Sequence, residues 1–348
     1  MSEMQTTVSA SKALAKVVLL TKDEPELIDH FLDYYCALFG DENVVVVDNG
    51  STDPTVAAAY ARRPGVQVRV DTRPFPLALE WMSEHMASLR DTCEWILPIE
   101  TDEFMFALPR ADDRNYVMTR EDVARYLESL DADVSVLRYG AFYGSAVDPG
   151  DGRYVPGLGY ECPPRDMTRF YDQGWDKVIV RASTFVRMAQ WCHHAVASSG
   201  HRVVSDFLGL LHYHETGFKR QVASAVKVMN SFGYVNLDAP PQRQLARIAE
   251  LEALGVSCGH KVLYYGTALR RRLTLEAFRR VAGRLPSSAR EMECYASKDD
   301  PATAVAADAV KLRVAPSGSS SWDALLYHEE PRAWQYAVHQ VANFFASV

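Results

Sequence analysis

The stretch WILPIETDEFMF, residues 95–106, decides how the rest of the chain is read. Trp95 to Pro98 is an apolar run ending in proline, which predicts a short buried strand that stops there. Glu100, Asp102 and Glu103 follow at once, and then Phe104, Met105 and Phe106. Three carboxylates grouped behind a buried strand repel one another, and partial burial adds a desolvation cost. A bound cation would relieve both, and carboxylate oxygens are hard ligands suited to Mg²⁺ or Mn²⁺. The plainer reading is a solvated acidic turn whose two phenylalanines return to the core.

Working back from this stretch, Lys16 to Leu20 (KVVLL) suits a central parallel strand and ends at Thr21-Lys22-Asp23-Glu24. Leu27, Ile28, Phe31, Leu32, Tyr35 and Leu38 then fall at helical spacing, and Gly40 stops that helix. Val44 to Val47 predicts a second buried strand, closed by Asp48-Asn49-Gly50-Ser51-Thr52-Asp53. A helix from Pro54 to about Arg62, a strand from Val66 to Val70 ending at Asp71-Thr72-Arg73, and an amphipathic helix from Leu77 to Leu89 lead back to Trp95. The alternation β-α-β-α-β-α-β predicts an α/β fold with a mainly parallel sheet and helices on both faces.

Ligands of such sheets bind at the carboxyl ends of the strands. Each polar cluster lies at such an end: Thr21 to Glu24, Asp48 to Asp53, Asp71 to Arg73, and Glu100 to Glu103. Any one of them could be a well-made turn, and Asp48-Asn49-Gly50 is good turn chemistry. There is no Gly-x-Gly-x-x-Gly and no Walker-type glycine loop, so a dinucleotide or P-loop cradle is not supported.

In order, TKDEPELIDHFLDYY, VVVVDNGSTD and WILPIETDEF resemble the GT-A glycosyltransferases, and within them the family 2-like group with an Asp-x-Asp-Glu-Phe motif. The resemblance spans residues 16 to about 230, with Glu100 standing where the family has the first Asp. It implies a GT-A fold, Rossmann-like, with a nucleotide-sugar donor, a UDP-sugar by preference. It implies Mn²⁺ or Mg²⁺ as cofactor, and transfer to an acceptor hydroxyl with inversion. It assigns Thr21, Lys22, Glu24, Asp48, Asp71, Arg73, Glu100 and Thr101 to the nucleotide-sugar and Asp102 to the cation. Gly144-Ser145, Thr168-Arg169-Phe170 and Lys177-Val178-Ile179-Val180-Arg181 also match the family pattern.

After Asp113 the chain changes character. Thr119 to Leu130 predicts an amphipathic helix, and Thr119 with Asp122 is spaced as a capping box with Asp in place of Glu. Val134 to Tyr139 predicts a strand, and Gly140 to Pro164 a long loop of the kind that binds ligands. Leu208 to Tyr213 predicts another strand, and its alternation sets His212 and His214 on one face, where two imidazoles can bind a metal. A half-exposed surface strand is the alternative. The resemblance places a metal-completing histidine here, with His212 first and His214 second. An inverting transferase needs a base for the acceptor. Glu161 on the loop and Asp206 before the histidine strand are its candidates.

The pair Pro240-Pro241 marks a boundary. The expected organisation is a loose N-terminus over 1–15, a catalytic domain over 16–237, and a mostly helical C-terminal extension over 238–348. Helices are expected over Gln242–Leu254, Thr274–Leu285 and Trp334–Phe345, with a flexible linker over Val314–Ser321. Arg270 to Arg272 with Arg279 and Arg280 makes a basic patch, read as a solvated helix face or as a peripheral contact with anionic headgroups or glycan. A net charge of −8 argues against a broad nucleic-acid surface. No run is long enough to span a bilayer, the first residues lack a signal-type apolar core, and six scattered cysteines suit reduced thiols. A cytoplasmic protein is expected, with oligomerisation open. Two other readings stand beside the transferase. One is a sugar-phosphate nucleotidyltransferase, which usually needs a glycine-rich loop after the first strand. The other is a nucleotide-sugar-binding or scaffold protein without turnover.

Overall fold

A computed structural model describes residues 12–108, 116–142, 168–171, 177–189, 193–213, 218–256, 258–282 and Phe344. Glu161, His214, Gly144-Ser145, most of the 140–164 loop, the 314–321 linker and nearly all of the last expected helix lie outside these residues. The chain runs β1 (Ala13–Thr21), α1 (Ile28–Phe39), β2 (Val44–Asp48), α2 (Pro54–Arg62), β3 (Gln67–Val70), α3 (Ala78–Ala87), β4 (Cys93–Glu100), β5 (Glu103–Ala107) and α4 (Arg120–Ser129). It continues with β6 (Val134–Phe142), β7 (Thr168–Tyr171), β8 (Lys177–Arg181), β9 (Phe185–Ala189), β10 (His194–Ala197), β11 (Arg202–Tyr213), α5 (Phe218–Ser231), α6 (Pro241–Leu254) and α7 (Gly259–Ala282). Contacts divide it into two compact units, Met1–Thr216 with Leu325–Val348, and Gly217–Ala324.

The first unit is built on a sheet of order β3-β2-β1-β4-β8-β6-β11-β5, with β7 paired to β6. The half carrying the β-α-β pattern is parallel throughout, as β2 and β4 flank β1 and β3 flanks β2. Strand alternation sends successive side chains to opposite faces. Val17, Leu19, Val44, Val46, Leu97 and Ile99 pack under α1, α2 and α4. Val18, Val45, Val47, Ile96, Val178 and Val180 pack under α3 and the β9–β10 hairpin. The runs VVLL and VVVV are apolar at every position because both faces are covered.

β4 does not stop at Pro98. It runs on to Glu100, paired with β1 from Ala13↔Cys93 to Leu20↔Glu100. Its ladder to β8 covers only Trp95 and Ile96, so the missing N–H of Pro98 falls beyond that pairing.

A two-residue turn, Thr101-Asp102, leads from β4 into β5. The two strands nevertheless sit apart in the sheet, with β8, β6 and β11 between them. A turn that short holds its ends together, so the sheet curls until its β5 edge returns to the end of β4. The free side of β5 is closed by α1. The Tyr35 hydroxyl donates to the Glu103 carbonyl (2.9 Å) and accepts from the Met105 N–H (3.1 Å), and the Tyr34 hydroxyl donates to the Met105 carbonyl. Both tyrosines are buried and pack edge-on or stacked against Phe104.

The second unit has its own core of Ala225, Met229, Ile248, Leu251, Val262, Tyr265 and Leu269, drawn from α5, α6 and α7. Gln244, buried among them, donates to the carbonyls of Leu237 (2.9 Å) and Ala239 (2.6 Å) and accepts from the Tyr265 hydroxyl. α7 begins well before the expected Thr274, since Val262, Tyr265 and Leu269 carry its buried stripe back a further three turns. No helix among the described residues is long and apolar enough to cross a membrane.

Candidate metal centre and nucleotide site

The acidic turn is assembled by register. β11 pairs antiparallel with β5, setting His212 opposite Glu103 and next to Asp102. His212 Nε2 lies 3.3 Å from Asp102 Oδ2, with the imidazole 12% and the carboxylate 26% exposed. One donor atom each from Glu100, Asp102 and His212 fall within 4.8 Å of one another. Two ligands of a single ion, each at about 2.1 Å, lie at most about 4.2 Å apart. The three donor atoms are therefore spaced close to the separation that a shared ion sets. Two carboxylates and an imidazole suit Mn²⁺ or Mg²⁺, so these residues fit the group that the resemblance implies.

Charge compensation at this turn is partly internal. Lys177 opens β8, which runs antiparallel to β4, so it lies toward the strand end that carries Glu100. Its Nζ is 3.1 Å from Glu103 Oε2 and 3.5 Å from Glu100 Oε1, and the Lys177 and Glu103 side chains are both fully buried. Two carboxylates about 4 Å apart near a protein surface repel by about 4 kcal/mol. An amine between them offsets part of that repulsion, against the desolvation cost of burying Lys177 and Glu103. Lys177 is thus a countercharge to Glu103 and Glu100 supplied from inside the fold, which the sequence reading of the acidic turn did not include. Burial drives the Glu103 carboxyl upward, with Lys177 pulling the other way. Burial also pulls the His212 imidazole down, but the Asp102 carboxylate outweighs it and leaves His212 above its ordinary value.

Beside this turn lie the ends of the parallel strands. The Thr101 hydroxyl donates to the Thr21 hydroxyl at 3.2 Å, tying β1 to the turn. Asp48 ends β2, buried, and accepts from the Ser51 N–H on Oδ1 (2.6 Å) and from the Tyr60 hydroxyl on Oδ2 (2.8 Å). Asn49 donates to the carbonyls of Asp71 (2.6 Å) and Arg73 (2.9 Å), binding the loop after β3 to the loop after β2. Asp23, at φ +47°, accepts from the N–H groups of Thr52 and Asp53 and fastens the loop after β1 to the same place.

Thr21, Asp48, Glu100, Thr101, Asp102 and His212 thus gather at one end of the sheet. The Glu24 carbonyl accepts the first N–H groups of α1, and Lys22 is exposed. Asp71 and Arg73 pair with each other at 2.7 Å, and Arg73 also pairs with Glu84 and Asp71 with His85. Asp206 is exposed, in a bulge where the β11–β6 register jumps from Val204↔Val136 to Gly209↔Arg138. Three ladder steps separate Gly209 from His212, so Asp206 stands roughly 10 Å or more from the turn.

Two parts of this arrangement are not apparent in the sequence motifs. One is Lys177 as counterion. A lysine opening an otherwise buried run, KVIVR, was its signal, since a lysine is buried only with a partner. The other is the support of β5 by Tyr34 and Tyr35, which in sequence are simply core residues of a helix.

No protein-family model matches the chain, and no curated protein matches it. Among solved structures it is similar to TarS 1–349 of S. aureus, at 14% identity over 95% of this chain and 89% of that one, with a TM-score of 0.36. The same protein in complex with UDP-GlcNAc is similar at 14% identity over 85% and 89%, with a TM-score of 0.33. Mannose-1-phosphate geranyltransferase from Thermus thermophilus is similar at 14% identity over 80% and 69%, with a TM-score of 0.26. Likenesses this distant carry no argument about what this chain does, so the functional reading is built on the site.

Proposed function

We propose that the protein is a metal-dependent glycosyltransferase that moves a sugar from a nucleotide-diphosphate sugar, a UDP-sugar by preference, to an acceptor hydroxyl with inversion. One observation carries the reading. Glu100, Asp102 and His212 offer a hard cation site at the carboxyl end of a parallel sheet, next to the polar ends of β1 and β2. That is where α/β sheets bind nucleotides.

Asp102 and His212 would hold the cation, with Glu100 as third ligand. When bound, such an ion supplies Lewis-acid stabilisation of the charge that develops on a departing nucleoside diphosphate. The chain's own residues shape the rest. Thr21 and Thr101 offer hydroxyls beside the cation site. Asp48, oriented by Ser51 and Tyr60, keeps acceptor capacity for a nucleoside N–H or hydroxyl, since each carboxylate oxygen takes more than one hydrogen bond. The cross-links through Asn49 and Asp23 hold the three loops in place before ligand arrives, and preorganised groups lose less on binding.

The test pairs binding with turnover. The wild type is expected to take up Mn²⁺ in the presence of UDP and to hydrolyse or transfer from a UDP-sugar. Asp102→Ala is expected to lose both while melting as a folded protein. Full activity in Asp102→Ala overturns the metal assignment. Binding without turnover for every nucleotide-sugar and acceptor tried leaves a nucleotide-sugar-binding protein.

A further inference from the structure

We propose that Lys177 makes cation uptake at the acidic turn conditional on the nucleoside diphosphate, by holding as a built-in countercharge a carboxylate that a free ion would need. The inference rests on the reading of Glu100, Asp102 and His212 as protein ligands.

Lys177 is sealed inside the fold and faces two carboxyl groups. It touches Glu103 at 3.1 Å and Glu100 at 3.5 Å. Glu103 Oε2 also accepts the Glu100 backbone N–H at 2.8 Å. These contacts close a ring, from the Glu100 N–H to the Glu103 carboxylate, to the ammonium, and back to the Glu100 carboxylate. The ring fixes the shape of the turn that presents Asp102. It also means that Glu100 is already shared, while Asp102 leans on His212.

A dication arriving alone must compete with Lys177 for Glu100 and then sit close to its positive charge. Arriving with a diphosphate, it brings anionic oxygens as further ligands, and the added negative charge is attracted by the ammonium. Metal and diphosphate therefore bind with positive coupling, and by linkage each raises the affinity of the other. Groups that orient a ligand from behind commonly change metal affinity by about 10–100-fold when removed.

The experiment measures Mn²⁺ binding from the loss of the free aqua-ion electron paramagnetic resonance signal, with and without UDP. It compares the wild type, Glu103→Gln, and the double variant Lys177→Met/Glu103→Gln, with melting curves to confirm folding. The wild type is expected to bind Mn²⁺ at least about tenfold tighter with UDP present. Glu103→Gln throws the ammonium onto Glu100 and should weaken binding of Mn²⁺ alone. The double variant deletes the buried pair and releases Glu100. It should bind Mn²⁺ alone about tenfold tighter than the wild type, with a smaller effect of UDP. A merely structural role would move both variants the same way, so shifts of the same sign overturn the proposal, as does a double variant no tighter than the wild type. If the double variant loses its cooperative melt, Glu103→Gln decides alone, and unchanged or tighter binding overturns. A wild type that takes up no Mn²⁺ even with UDP sinks the functional reading itself.

Discussion

At the scale of single residues, the buried Lys177–Glu103 pair makes the sharpest claim on stability. Removing one partner of such a pair leaves an uncompensated charge, which costs about 3–5 kcal/mol, whereas replacing both by neutral groups is often close to neutral. Lys177→Met is therefore expected to lower the urea midpoint steeply, and adding Glu103→Gln to restore most of it. A double variant no more stable than the single one would show that the pair is not the cause. Asp71 carries a pH prediction. Arg73's hydrogen bonds hold its carboxyl well below the usual range, with His85 adding to the effect and burial opposing it. A depressed folded pKa contributes stability that is present above about pH 4, where the unfolded carboxyl titrates, and is lost as pH falls toward the folded value. Acid unfolding curves of Asp71→Asn should be flatter than wild type below about pH 4 and should run parallel to it at higher pH. An unchanged acid limb would assign the pH dependence to other carboxylates.

At the scale of elements, much was legible. Thr119 and Asp122 form the capping box their spacing implies: Thr119 Oγ1 accepts from the Asp122 N–H and the Asp122 carboxylate accepts from the Thr119 N–H. The apolar runs at β1, β2 and β4 read as buried parallel strands because their composition leaves no solvated face. β5 was not legible, since EFMFA alternates nothing and its partner lies a hundred residues on, in β11. The full reach of β11 is hidden for a related reason. Its first half is polar, with Arg202, Ser205 and Asp206, and it is held by a bulge in which Ser205 Oγ accepts from the N–H groups of Phe207 and Leu208. The support of β5 by α1 is testable. Tyr35→Phe keeps the ring but strips the Glu103 carbonyl and the Met105 N–H of their buried partner, which should cost about 1–3 kcal/mol in chemical denaturation. A change within error would mean that those groups find a partner elsewhere.

At the scale of the whole molecule, the site depends on topology more than on any motif. The acids come from the end of β4, the turn and the start of β5, the imidazole from β11, and the buried amine from β8. Sequence could name Asp102 and His212 because each sits at a strand end. It could not show that the sheet curls far enough to set them side by side, because curl is a property of all the ladders together. The same topology bears on the order of events during folding. Asp102 and His212 are 110 positions apart, and they meet through the pairing of β11 with β5. Pairings so distant in the chain form late, after the entropy of closing a long loop has been met. A cation that needs both residues therefore has nothing to grip on the uphill side of the barrier. Mn²⁺ with UDP should slow unfolding in stopped-flow experiments and leave the refolding rate untouched, and faster refolding would place that meeting before the barrier.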